Sequence, residues 1–235
     1  MKLHVLGCHG PYPPAGGATS GYLVEQDGKL LLMDCGSGVL GRLMQKADPA
    51  KLSGILLSHL HYDHAADLLV LTYYLQQRGV KLPLFVPPED ASPLRNLLSA
   101  DVYDVTPYPE KMQLAGLGIT TLPVRHPVPC RAIRLEGEGK ALVFSGDTNT
   151  CENLAAFAKE ADAFLCDAAF LETEWAENKP HLSAKKAAEA ALQAHVKQLY
   201  LTHLPVGHEK ATMEQEASSV FAHTKAVEQG LVISL

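Results

Sequence analysis

The sequence predicts an α/β fold in which two mixed β-sheets pack together with helices outside. In the first half of the 235 residues strand-like segments dominate, and in the second half strands alternate with helices. No internal repeat, low-complexity tract or linker divides the chain, so residues 1–235 read as one domain. Between the apolar run Gly54-Ile55-Leu56-Leu57 and an amphipathic run from Ala65 onward lies Ser58-His59-Leu60-His61-Tyr62-Asp63-His64. A buried strand, a loop and a helix in that order present side chains from a rigid base.

Taken in order, residues 2–6 form a first strand, their apolar run being too short for a signal peptide. The Gly- and Pro-rich residues 7–17 form a loop across one end of a sheet. Residues 22–25 and 30–33 flank Gln26-Asp27-Gly28-Lys29 as a hairpin. Asp34-Cys35-Gly36-Ser37-Gly38 then opens a short helix over about 39–45. Asp34 can cap that helix or orient a metal ligand, and the second role is favoured. Leu68, Leu69, Leu71 and Leu75 recur at helical spacing within a helix over 65–77. A strand at 84–86 stops at Pro87-Pro88, and a helix over 92–99 takes Ser92 as cap and Pro93 in its first turn. Strands follow near 112–114, 119–124, 132–135 and 141–145, the last two joined by a turn at 136–139. A helix over 152–161 precedes a strand at 163–167. An Ala-rich helix over 183–194 with Ser183 as N-cap leads to a strand at 198–202. A helix over 213–223 and a strand over 231–235 end the chain.

Composition narrows the function. The chain is 47% hydrophobic and 20% charged, the balance of an ordinary soluble globular protein. A net charge of −6 weighs against the basic surface that nucleic-acid binders use. The five cysteines are widely spaced with no Cys-x-x-Cys pair, which argues against a disulfide framework or a zinc knot. No apolar span reaches 18 residues, so no membrane helix is expected and a reducing cytoplasm is the expected setting.

Chemistry concentrates at element ends. Alternate residues of an extended segment point the same way, so His59, His61 and Asp63 can converge, with His64 beside them. His126 follows the strand ending at Val124, and Asp147 follows the one ending at Ser145. His203 follows Thr202, and His181 precedes the Ser183 helix. In that order, His59-x-His61-x-Asp63-His64, His126, Ser145-Gly146-Asp147-Thr148 and Thr202-His203-Leu204-Pro205 resemble the metallo-β-lactamase-fold hydrolases. Asp34-Cys35-Gly36 resembles their early Asp-x-Gly element. His126-Pro127-Val128-Pro129 and Pro180-His181-Leu182-Ser183-Ala184 make the resemblance closest to the branch of tRNase Z and its related cyclic phosphodiesterases. It covers nearly the whole chain.

The resemblance implies a four-layer αββα sandwich and a two-metal site. His59, His61 and His126 would hold the first metal, Asp63, His64 and His203 the second, and Asp147 would bridge them. Imidazoles and carboxylates without thiolate suit Zn²⁺ first, with Mn²⁺ or Fe as alternatives. His181 matches a family position that contacts the scissile phosphoryl group; capping the following helix is its other reading. Asp63 and His181 are thus the candidate catalytic residues, Asp63 as a metal holder rather than a base. His9 is a further candidate to approach the cleft. Asp67, Asp167 and His223 are assigned to helix faces or strand ends, and His4, His195 and His208 to ordinary packed or solvated roles.

The expected activity is hydrolysis of a small or cyclic phosphodiester by a hydroxide bridging two cations. Enzymes like tRNase Z carry a tRNA-clamping arm between the ligands matching His126 and Asp147. Here 20 residues separate these two, reading as two strands and a turn, and Tyr62 stands where Gly is common. A small substrate is therefore favoured over tRNA. The alternatives are an armless ribonuclease, a lactone, thioester or β-lactam hydrolase, and a metal-binding sensor without turnover. Homodimers are common in the branch the chain resembles, and the 65–77 helix with Tyr73 and Tyr74 offers one contact surface for such a pair, while the sequence leaves the oligomeric state open.

Overall fold

In the computed structural model, which describes residues 1–89 and 91–235, the chain forms two seven-stranded sheets. The first sheet is built from β1 (Lys2–Gly7), β2 (Gly21–Gln26), β3 (Lys29–Met33), β4 (Leu52–Leu56), β5 (Leu82–Val86) and β6 (Tyr103–Pro107). The second comprises β7 (Lys111–Leu114), β8 (Leu117–Pro123), β9 (Arg131–Gly137), β10 (Lys140–Phe144), β11 (Ala163–Asp167), β12 (Leu199–Thr202) and β13 (Thr224–Ala226). The last strand, β14 (Val232–Ser234), returns to the first sheet beside β1.

The two sheets follow one plan. Antiparallel hairpins run from β1 to β3 and from β7 to β10, and parallel strands continue from β3 to β6 and from β10 to β13. Parallel neighbours need long crossovers, and these carry the helices. They are α1 (Val39–Met44), α2 (Tyr62–Ala65), α3 (Asp67–Arg78), α4 (Leu154–Phe157), α5 (Ala184–Ala194) and α6 (Lys210–Ser218). Strands covered on both faces read as continuous apolar runs, which is why β4 and β11 were legible as strands.

Side-chain alternation assigns each strand residue to a layer. Leu31 and Met33 of β3 join Val5, Tyr22, Ile133, Leu142 and Phe144 between the sheets. Leu32, between them in sequence, faces outward with Ile55 against Val39, Leu43, Leu68, Leu71 and Leu75. On the far side, Val143, Phe164 and Leu201 pack against Ala184, Ala187, Ala188 and Ala191 of α5. The result is the expected αββα sandwich.

Several element boundaries differ from expectation. The helix expected over 152–161 is only α4, and Glu160 turns to a φ of 54°. Residues 92–99 hold a 3₁₀ turn, Pro93–Leu97, although Ser92 caps it as expected by accepting from the Leu94 N–H. The helix expected over 213–223 lies earlier, at α6, leaving residues 224–226 to pair as β13. The β6 strand was not anticipated. On α3, Tyr73 is 67% exposed, but Tyr74 is engaged within the chain, its hydroxyl donating to Asp48 Oδ1 at 2.8 Å. All five cysteines are free. Among the described residues no helix is long and apolar enough to cross a membrane.

Candidate metal centre

Both sheets bring strand ends to one rim. The segment after β4 carries His59 and His61, His61 being the extended N-cap residue of α2, and α2 holds Asp63 and His64 in its single turn. Opposite them, His126 follows β8, Asp147 follows β10, and His203 follows β12. Beside a third set, Asp167, His181 and His203, two groups of potential ligand atoms hold the expected residues, with the members of each within 4.8 Å of one another: His59, His61, His126 and Asp147, then Asp63, His64, Asp147 and His203. Each group takes two residues from the β4 segment and two from the second sheet. All seven residues expected as ligands are therefore brought together, and Asp147 belongs to both groups.

The distances are short. His61 Nδ1 lies 3.0 Å from His59 Nε2 and 3.1 Å from His126 Nε2. Asp147 Oδ2 lies 3.2 Å from His64 Nε2, 3.3 Å from His203 Nε2 and 3.6 Å from His59 Nε2. Asp63 Oδ2 is 3.3 Å from His203 Nε2 and 3.5 Å from His64 Nε2.

Outer contacts aim the rings. The Asp34 carboxylate, fully buried, accepts from His64 Nδ1 at 2.7 Å, Ser20 Oγ at 2.7 Å and the Ser58 N–H at 2.8 Å. Gly38, not Asp34, occupies the N-cap of α1, so the orienting role anticipated for Asp34 is the one observed. His126 Nδ1 faces the Pro180 carbonyl at 3.3 Å, which leaves its Nε2 lone pair toward the site. Asp34 and His203 adopt φ values of 57° and 55° just past their strands. Such left-handed geometry costs a non-Gly residue about 1–3 kcal/mol, held here by the surrounding bonds.

His181 is not the helix cap; Ser183 is, accepting from the Lys186 N–H at 3.0 Å. Instead His181 Nδ1 donates to Asp167 Oδ2 at 2.8 Å, and its ring stacks on His203 at 4.5 Å between centroids. Burial opposes its charge, but the Asp167 and Asp147 carboxylates outweigh burial and raise its pKa to about 9. Asp167 lies at a strand end as expected. Its hold on His181 and on the Thr148 N–H was not read from the sequence. The available signal was its place at the end of β11, between the strands that deliver Asp147 and His203.

Gly10 was also missed. A Cβ there would stand 2.0 Å from His203 Nε2, so the loop backbone lies directly on that ring. His9, next to it, bridges to Leu204 and its charge is disfavoured by burial, so it does approach the rim. Gly10→Ala is expected to displace His203 and lower kcat/KM about 10²-fold, since misplacement on the ångström scale costs that much. Kinetics and a thermal melt on the variant check this; unchanged kcat/KM would mean that the loop yields freely.

The donor set fits divalent cations. Burial lowers the pKa of His126 to about 4 and, with the neighbouring His64, holds His59 well below the usual imidazole range, so both present lone pairs. His64 Nε2 is buried and meets no partner at hydrogen-bonding geometry, the Asp147 carboxylate included. With Nδ1–H committed to Asp34, that nitrogen needs either a proton or a cation to face two carboxylates. Burial disfavours the proton, but Asp147 and Asp34 outweigh it and raise the His64 pKa. A metal ion satisfies the same demand.

Residues 29–204 match the family described as Beta-lactamase superfamily domain. The uncharacterized protein ML1173 of Mycobacterium leprae (strain TN) is 35% identical over 94% of this chain and 84% of its own length. The probable metallo-hydrolase YhfI of Bacillus subtilis (strain 168) is 31% identical over 94% of both sequences. Its crystal structure agrees with a TM-score of 0.94 over 99% of both chains, at 30% identity. Human tRNase Z, short form, is alike in fold, with a TM-score of 0.81 and 18% identity over 100% of this chain and 99% of that one.

Proposed function

Because the chain belongs to the beta-lactamase superfamily as a metallo-hydrolase, we propose that it hydrolyses a small or cyclic phosphodiester at two divalent cations. His59, His61 and His126 would hold one cation and Asp63, His64 and His203 the other, with Asp147 shared. Zn²⁺ is the first candidate, and Mn²⁺ or Fe suit the same ligands. Bound there, such a pair supplies Lewis acidity and an activated water near neutral pH.

The observation that carries the phosphodiester reading is His181. Asp167 fixes its Nδ1–H, and the ring stands over His203 with Nδ1 3.9 Å from Asp147. A positioned imidazolium stabilises charge gathering on a phosphoryl group and can protonate the departing oxygen. Asp63 serves the site by holding its cation. The substrate is read as small because β9 and β10, joined by a tight turn at Glu138 and Gly139, fill the interval between His126 and Asp147. No arm extends from that hairpin to clamp a tRNA.

The test is a substrate panel on metal-loaded protein, comparing bis-p-nitrophenyl phosphate and 2′,3′-cyclic nucleotides with acyl-homoserine lactones and thioesters. The diesters should give the higher kcat/KM, and His61→Ala should lower it by about 10²-fold or more. Faster lactone or thioester turnover would move the activity to carbonyl substrates. Undiminished diesterase activity in His61→Ala would sink the two-cation reading.

A further inference from the structure

Beside the metal rim, on the outer side of His126, a cavity of about 220 Å³ is lined by Arg125, His126, Pro127, Asn178, Lys179 and Pro180. We infer that this pocket receives a second phosphate of the substrate, next to the phosphodiester being cleaved. The inference rests on the phosphodiesterase reading and narrows its substrate to diesters bearing a further phosphate group.

The pocket is held in shape from beneath. Asn149 is fully buried, and its Nδ2 faces the carbonyls of Ala176, Glu177 and Lys179 at 3.1, 3.3 and 2.5 Å. Its Oδ1 accepts from Trp175 Nε1 at 3.1 Å and from the Thr150 N–H at 2.6 Å. Its own backbone N–H donates to the Arg125 carbonyl at 2.9 Å. One residue, through its side chain and its backbone, thus ties the 176–179 wall to the Arg125 wall. A binding group on such a framework loses little freedom when it engages.

The charges suit an anion. Arg125 carries a planar donor fork matched to phosphate oxygens, and Lys179 adds a point charge. Arg125 reaches Glu177 Oε1 only at 3.8 Å and donates through Nη2 to the Glu177 carbonyl at 2.8 Å; both contacts are at the surface, where a ligand oxygen can replace them. The Glu174 carboxylate is occupied with His208 and the Leu171 N–H, while the Glu174 carbonyl accepts from the Lys179 ammonium, a surface contact that a phosphate oxygen would replace. The Lys179 ammonium sits 4.3 Å from the centre of the Phe170 ring, which adjoins His181. His126 and Pro180 connect the pocket to the metal rim: the His126 ring is buried beneath it, with Nδ1 3.3 Å from the Pro180 carbonyl and Nε2 toward the ligand groups.

The test is calorimetric titration of metal-loaded protein with adenosine 3′,5′-bisphosphate and with adenosine 5′-monophosphate. The wild-type protein should bind the bisphosphate at least about tenfold more tightly, the added affinity of charge-assisted contacts. In the double variant Arg125→Met, Lys179→Met that ratio should fall to about one, and Arg125→Glu should lower it further. These side chains are at the surface, and melting curves verify folding. A wild-type ratio near one, or an undiminished ratio in the double variant, overturns the inference. Wild-type hydrolysis of bis-p-nitrophenyl phosphate, which has no second phosphate, reports on the phosphodiesterase reading separately.

Discussion

Asp147→Ala is expected to lower kcat/KM on phosphodiesters by about 10³-fold or more and to reduce the divalent metal that copurifies. Asp147 is the one carboxylate in both ligand groups, within 3.6 Å of ring nitrogens from His59, His64 and His203. Its own pKa is depressed: burial opposes ionisation, but His203, His64 and His59 outweigh it. Removing it takes away the one carboxylate common to both ligand groups, the charge that the two proposed cations would share. Lewis-acid stabilisation worth several kcal/mol corresponds to the stated rate loss. Steady-state kinetics with metal analysis by plasma emission would check it, and wild-type rates with full metal content would refute the shared-ligand role.

Asp34 should produce the second large effect, from outside the ligand set. Asp34→Ala strips partners from Ser20 Oγ, the Ser58 N–H and His64 Nδ1, all buried. Breaking a buried charged network in this way costs about 3–5 kcal/mol, or roughly a 10 °C fall in Tm for a chain of this size. Asp34→Asn separates stability from ligation. Its carbonyl can still accept from Ser58, while its NH₂ facing His64 Nδ1 drives that ring to carry its proton on Nε2. The lone pair is then turned away from the metal. The Asn variant should keep most of its Tm yet lose about 10- to 100-fold in metal affinity, the usual scale for an outer-shell partner. Thermal melts paired with competitive metal titration measure both quantities. If the Asn variant bound metal as tightly as wild type, Asp34 would be structural only.

How much could be read from the chain depended on whether local chemistry or distant pairing decides the element. The hairpin around Asp27-Gly28, the apolar strand β11 and the Ser183-capped α5 carry their own signals, and each appears within a residue or two of expectation. β6 and β13 lacked such signals. Tyr103–Pro107 shows no clean alternation, and Thr224–Ala226 is three residues long; both are edge strands defined by the neighbour they pair with. The 152–161 segment has helix-forming alanines, yet it must turn quickly to enter β11, and the helix stops after one turn. At the site, the histidines and aspartates stood out by type and spacing. Gly10 and the Pro180 carbonyl act through backbone placement and bore no recognisable pattern, while Asp167 acts through a neighbour in the next crossover and offered only its place at a strand end.

Two ligands from the β4 segment and two from the second sheet make up each group, and this has a mechanical meaning. A cation held by both sides would act as a rivet through the seam where the sheets face each other. Pulling the sheets apart at that rim would then require the ion to leave, and unfolding would become a dissociation reaction. Folded-state stability rises with the logarithm of free metal above its dissociation constant. Chelation and heat would attack the same joint, and the chain's resistance to one would be set by its exposure to the other.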